Sequence, residues 1–103
     1  MPRYGTAEDV TLTEDLLSAY KVGRVGEGWC LLGTRAGPGL LAALMARRPT
    51  RVNVWLDPDR AGERSAAKLN ASLRGFGFTV RNIHSARDPK RHTLAEIKEY
   101  LCT

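Results

Sequence analysis

Short apolar runs rich in β-branched residues alternate along this chain with longer stretches of helical period. DVTLTE (9–14) is short and β-branched, ends in a carboxylate, and reads as a first strand. In DLLSAYKVG (15–23), Leu16, Ala19 and Tyr20 recur at helical spacing and Gly23 supplies a stop. WCLLGT (29–34) is a continuous apolar run closed by Gly33, the pattern of a buried strand. PGLLAALMARR (38–48) opens on Pro38 and pairs Leu40 with Leu44 and Leu41 with Met45, which predicts a second helix. RVNVWL (51–56) is a third strand. From Arg60 to Arg74 the apolar set Ala66, Leu69 and Leu73, extended by Phe76, predicts the longest helix, ended by Gly75 and Gly77. FTVRNIH (78–84) is a fourth and less regular strand, expected at a sheet edge. TLAE (93–96) has the form of a capping box, and Leu94, Ile97 and Leu101 make a last amphipathic helix.

The order βαβαβαβα with short connections predicts an α/β fold: a four-stranded parallel sheet with helices on both faces, strands in the common doubly wound order 2-1-3-4. Ligands in such sheets bind beyond the carboxyl ends of the strands. Acidic residues follow three of the four strands there: Glu14 and Asp15, then Asp57 and Asp59, then Asp88.

Composition narrows the setting. A chain of 103 residues fits one domain, with a core expected over about 9–100. Hydrophobic residues are 43% and charged residues 26%, as in ordinary globular chains. No apolar stretch reaches the roughly 20 residues of a membrane span, and MPRYGTAEDV lacks an apolar leader core, so no membrane partner and a cytoplasmic place are expected. Cys30 and Cys102 cannot make a four-ligand zinc site, and Cys30 reads as a buried free thiol. The net charge of +5 favours a polyanionic partner weakly.

Against that positive balance, carboxylates gathered at one edge need a cation among them. Mg²⁺ takes oxygen ligands, usually a few from protein, and fills its shell with water and substrate phosphate. Glu14, Asp57 and Asp59 would face one point if the first and third strands are neighbours. A metal there could clamp phosphate oxygens during an in-line displacement. Asp59 also suits a helix N-cap, and Asp-Pro is a common turn opener, so a structural role competes for this pair. Arg60, Arg64 and Lys68 form one stripe along the third helix. The stripe reads either as a phosphate-holding surface or as a solvated face.

These residues carry a resemblance. DPDRAGERSAAK (57–68) resembles the Asp-x-Asp-x-x-Gly segment of Toprim domains, most closely its primase form, with Asp57, Asp59, Ala61, Gly62, Ala66 and Lys68 matching. LTEDLLSA places Glu14 where the family carries its catalytic glutamate. Gly33–Thr34 is similar to the Gly-Thr that primases carry after the second strand. ARDPKRHT places Asp88 where primases have a further acidic metal-site residue. The resemblance implies a three-layer α/β/α, Rossmann-like Toprim fold over the whole chain. It implies catalysis by Glu14, Asp57 and Asp59, with Mg²⁺ (or Mn²⁺) held by these and Asp88. It also implies nucleotide and nucleic-acid contacts by Arg60, Arg64, Lys68 and Lys90, and a structural role at the site for Gly33, Thr34 and Gly62. The chain departs from the family at Asp15, usually Gly, at Ser18, usually Asp, and at Lys90, usually a second Asp; these bear on the loading of a second ion.

Implied partners are a single-stranded template, nucleoside triphosphates and a helicase or other replication protein. The expected function is RNA primer synthesis as the catalytic domain of a bacterial or phage-type DNA primase. The flanking zinc-binding and template-holding domains of such primases do not fit in 103 residues. A Toprim nuclease and a reduced, non-catalytic Toprim module are the alternatives. A receiver-type signalling domain also has acids after its first and third strands, but it leaves Gly62 and the second aspartate unexplained.

Overall fold

Val10 and Leu12 alternate with Thr11 and Thr13 along the first long strand, and all four are buried, so both faces of the sheet are covered. The computed structural model describes residues 1–31 and 38–103. It contains strands β1 (Arg3–Gly5), β2 (Asp9–Thr13), β3 (Glu27–Cys30), β4 (Arg51–Val54) and β5 (Val80–Asn82). The helices are α1 (Leu16–Gly23), α2 (Pro38–Arg47), α3 (Arg60–Gly75) and α4 (Leu94–Cys102), and a 3-10 turn spans Pro89–Arg91. The sheet order is β1-β3-β2-β4-β5. The strands β3, β2, β4 and β5 are parallel and stand in the predicted order, with Leu12 opposite both Trp29 and Val54.

The sheet is nevertheless five-stranded and mixed, not four-stranded and parallel. β1 pairs antiparallel with β3, Tyr4 opposite Gly28. Three residues carry no readable period, so only the pairing with β3 defines this strand.

Two further corrections concern which residues are inside. The second parallel strand is Glu27–Cys30, earlier than the predicted 29–34, and Gly33 and Thr34 lie outside the described residues. In α1 the buried residues are Ser18, Ala19 and Val22, while Leu16 and Tyr20 are about half exposed. The reason is close packing. A Cβ on Gly28 would stand 2.3 Å from the Ala19 carbonyl oxygen, so the helix rides directly on β3 and only small side chains fit beneath it. Phe76, past the end of α3, is likewise exposed.

The core divides by face. Leu40 and Leu44 of α2 and Ala66, Leu69 and Leu73 of α3 pack with Val10, Leu12, Trp29, Val52, Val54 and Val80. On the other face Val22 of α1 and Ile97 of α4 pack with Trp55 and Ile83. Each fully buried aliphatic side chain contributes about 2 kcal/mol. Among the described residues no helix is long and apolar enough to cross a membrane.

Candidate functional site

Because β2 and β4 are paired neighbours running the same way, the residues that leave their carboxyl ends meet. Glu14 follows β2 directly, and its Oε1 accepts the Asp57 backbone N–H at 3.1 Å. Gly62, in the first turn of α3, is buried against this junction. A Cβ at Gly62 would fall 2.0 Å from the Asp57 carbonyl oxygen and 3.1 Å from Glu14 Oε1, so only glycine lets the helix start so close. Three of the predicted site residues thus occupy one point.

Asp59 does what the competing structural reading asks of it. It is the N-cap of α3, exposed, with Oδ1 accepting the Gly62 N–H at 2.7 Å. Its charge still reaches the site. Burial raises the Glu14 pKa, the Asp57 N–H opposes this, and the Asp57 and Asp59 charges push it further up. Burial also raises Asp57, followed by the charge of Asp88; Lys90 pulls the other way, and Asp15 and Asp59 add to the rise.

Asp88 comes to the same edge just ahead of the 3-10 turn. There it is paired: Lys90 Nζ lies 2.8 Å from Asp88 Oδ2 and 3.1 Å from Asp15 Oδ2. Asp15 is also the N-cap of α1, accepting the Ser18 N–H at 2.8 Å and its hydroxyl at 3.2 Å. The Ser18 hydroxyl oxygen accepts the Lys90 N–H at 3.2 Å, and Lys21 Nζ donates to the Lys90 carbonyl at 3.1 Å. Burial alone would raise Asp15, but the Ser18 N–H and the Lys90 ammonium together hold it low. Asp88 and Asp15 in turn hold the Lys90 proton more tightly than usual. The three departures from the family pattern, Asp15, Ser18 and Lys90, therefore interlock as one network. Sequence alone offered a signal for part of it, the Asp-x-x-Ser capping spacing.

The edge is thus split. Asp15 and Asp88 share the one Lys90 ammonium, while Glu14 and Asp57 carry raised pKa values. Among the described residues no three His, Cys, Asp or Glu side chains are grouped to hold a metal ion. A pair of carboxylates is still within the ordinary Mg²⁺ repertoire, since that ion commonly keeps several waters and substrate oxygens. Glu14 and Asp57, brought to one point by the close approach of the two segments at Gly62, fit one such ion. The Asp15–Asp88 half, already paired with an ammonium, does not fit a second.

Arg60, Arg64 and Lys68 lie exposed along α3, and Arg60 and Arg64 line a shallow groove with Glu63 and Ala67. Among the described residues none of the three is in a salt bridge. Gly33 and Thr34 fall outside the described residues. Residues the sequence did not single out also stand here. Leu56, Asn82, Ile83 and His84 line a cavity that shares Asp57 as wall. No family model, curated protein or solved structure matches the chain, which leaves the residues and their geometry to speak for function.

Proposed function

We propose that this protein is a Toprim-type domain of the primase kind, performing divalent-metal-dependent nucleotidyl transfer. What supports the reading above all is the meeting of Glu14 with Asp57 over Gly62, which brings together two separate matching segments whose carboxylates are 43 residues apart in the chain. Glu14 and Asp57 would hold the ion, Mg²⁺ or Mn²⁺. Bound there, the ion would offset charge on the oxygens of the transferring phosphoryl group. Glu14 is fixed by the Asp57 N–H, so one of its oxygens is positioned before any ligand arrives. Asp59 holds the start of α3 against the site, aiming the positive end of the helix at a bound phosphate. Asp88 assists at a distance, through its charge on Asp57. The stripe Arg60, Arg64 and Lys68 would follow the backbone of a single-stranded template, with triphosphates as co-substrate and a replication protein as companion.

One observation favours a second reading. Lys90 bridging Asp15 and Asp88 withdraws two carboxylates from metal binding, which suits a one-ion nuclease or a binding module better than a two-ion polymerising centre. Primer synthesis and nuclease activity, measured on the same preparation with Mg²⁺ and with Mn²⁺, separate these readings. The primase reading expects metal-dependent primers that Glu14→Gln abolishes. Cleavage without synthesis, lost in the same variant, selects the nuclease. Neither activity, together with no Mn²⁺-induced rise in melting temperature that Asp57→Asn removes, ends the metal reading altogether.

A further inference from the structure

A cavity of about 140 Å³ opens at the carboxyl ends of β4 and β5, with Asp57 in its wall. Its floor is apolar. Leu56, Ala66 and Ile83 line it and are buried, so core packing fixes the shape of the floor, through α3 at Leu56 and Ala66 and through Trp55 at Ile83. Its rim is polar. The Asn82 amide and the His84 imidazole stand together there, Nδ2 to Nε2 at 3.4 Å. The rim is braced from behind, because Ser85 Oγ accepts the Trp55 indole N–H at 2.8 Å and donates to the Arg87 carbonyl at 2.6 Å.

Size and chemistry narrow the occupant. A closed apolar cavity of about 150 Å³ holds one benzene ring, so this open one, of similar volume, encloses a single ring more fully than a fused pair. An amide offers both donors and an acceptor, which matches the mixed edge of a base. Unpaired bases are held by apolar or aromatic faces on their planes and polar groups on their edges, and imidazole is among the stacking partners. Asp57 connects this cavity to the pair Glu14 and Asp57.

We infer that the cavity takes the unpaired pyrimidine base of a nucleotide whose phosphate lies at Glu14 and Asp57. This rests on the proposed function and adds the class of base.

Backbone amide NMR on the protein with Mg²⁺ tests it, titrating CMP, AMP and ribose 5-phosphate. CMP moves the Asn82, Ile83 and His84 amides and binds about fivefold more tightly than AMP, because a single ring is enclosed where a fused pair is not, and more tightly than ribose 5-phosphate, which has no base to stack. Ribose 5-phosphate moves Asp57 and Gly62 but leaves Asn82 and His84 unmoved. Asn82→Ala combined with His84→Ala, both outside the core, weakens CMP to the level of ribose 5-phosphate and leaves Mn²⁺ binding by electron paramagnetic resonance unchanged. AMP binding as tightly as CMP, or CMP moving only the amides that ribose 5-phosphate moves, overturns the inference while Mn²⁺ binding upholds the proposed function. CMP shifts at the cavity without any Mn²⁺ binding uphold the base site and overturn the metal reading instead.

Discussion

A carboxylate inside a buried strand is costly unless it is paired and fully hydrogen-bonded. Glu27, only 5% exposed in β3, meets that condition. Arg47 pairs with it at 2.8 Å and also donates to the Ala7 carbonyl; the Trp29 indole N–H donates at 2.8 Å and the Ala7 N–H at 3.1 Å. Burial would raise its pKa, but Arg47, Trp29 and Ala7 outweigh burial and hold it below its ordinary value of 4.5. A depressed folded pKa gives stability that is present above the unfolded value and lost as pH falls through the folded one. Glu27→Gln is therefore expected to cost about 2–3 kcal/mol near neutrality, with the gap from the parent narrowing below about pH 4. Urea denaturation at neutral and acid pH measures both; a gap that stays constant would show that charge is not what Glu27 contributes.

Among the elements, α3 depends most on its first turn. Its apolar face packs Ala66, Leu69 and Leu73 against the sheet, and its outer face is charged. Asp59 caps the turn that Gly62 allows to lie against Asp57. Capping needs only a side-chain oxygen, so Asp59→Asn is expected to keep stability within a few tenths of a kcal/mol, whereas Asp59→Ala costs about 1 kcal/mol. Thermal unfolding in metal-free buffer compares the pair. Equal losses in the two variants would mean that the charge of Asp59, rather than its oxygen, holds the helix. The outer face of α3 has its own test. If Arg64 and Lys68 hold phosphates, removing both flattens the dependence of log affinity for single strands on log salt by about 1.4 units, equally for every sequence. An unaltered slope would make the stripe a solvated face.

At the scale of the molecule, the acidic edge is drawn together from the segments that follow three parallel strands. Glu14 arrives from β2, Asp57 from β4 and Asp88 from the segment after β5. Lys90 then ties the last of these to the start of α1, through Asp15, Ser18 and Asp88. Behind this tie, Trp55, His92 and Tyr100 pack with ring centroids 4.9 to 5.8 Å apart, so α4 closes on the same segment from beneath. Removing the tie with Lys90→Met leaves two carboxylates close together without their cation. Stability is expected to fall by about 1–2 kcal/mol at low salt and to recover in part as salt rises. Circular-dichroism melts across a salt series measure this, and a loss indifferent to salt would point to packing of the lysine stem instead.

Sequence by itself determined the alternation of strands and helices, the order of the four parallel strands, and the placing of Glu14, Asp57 and Asp88 after strand ends. The alternation and the strand ends follow from local period and short connections, which leave marks along the chain, and the order is the common one for doubly wound sheets. The sequence also placed Gly62 at the site through resemblance, and the fold supplies the physical reason in a 2.0 Å approach to the Asp57 carbonyl oxygen. Only the tertiary structure decided that β1 adds an antiparallel edge, because three residues take their identity from the strand they pair with. Only it could bury Glu27 and expose Leu16, since the partner Arg47 is 20 residues away and the close approach of α1 to Gly28 is set by packing. Lys90 shows the limit most clearly. Along the chain it is a basic residue near an aspartate, open to solvent or to phosphate. In space it lies between Asp88 and Asp15, 75 residues away in sequence, and that contact divides the acidic edge into a paired half and the Glu14–Asp57 half.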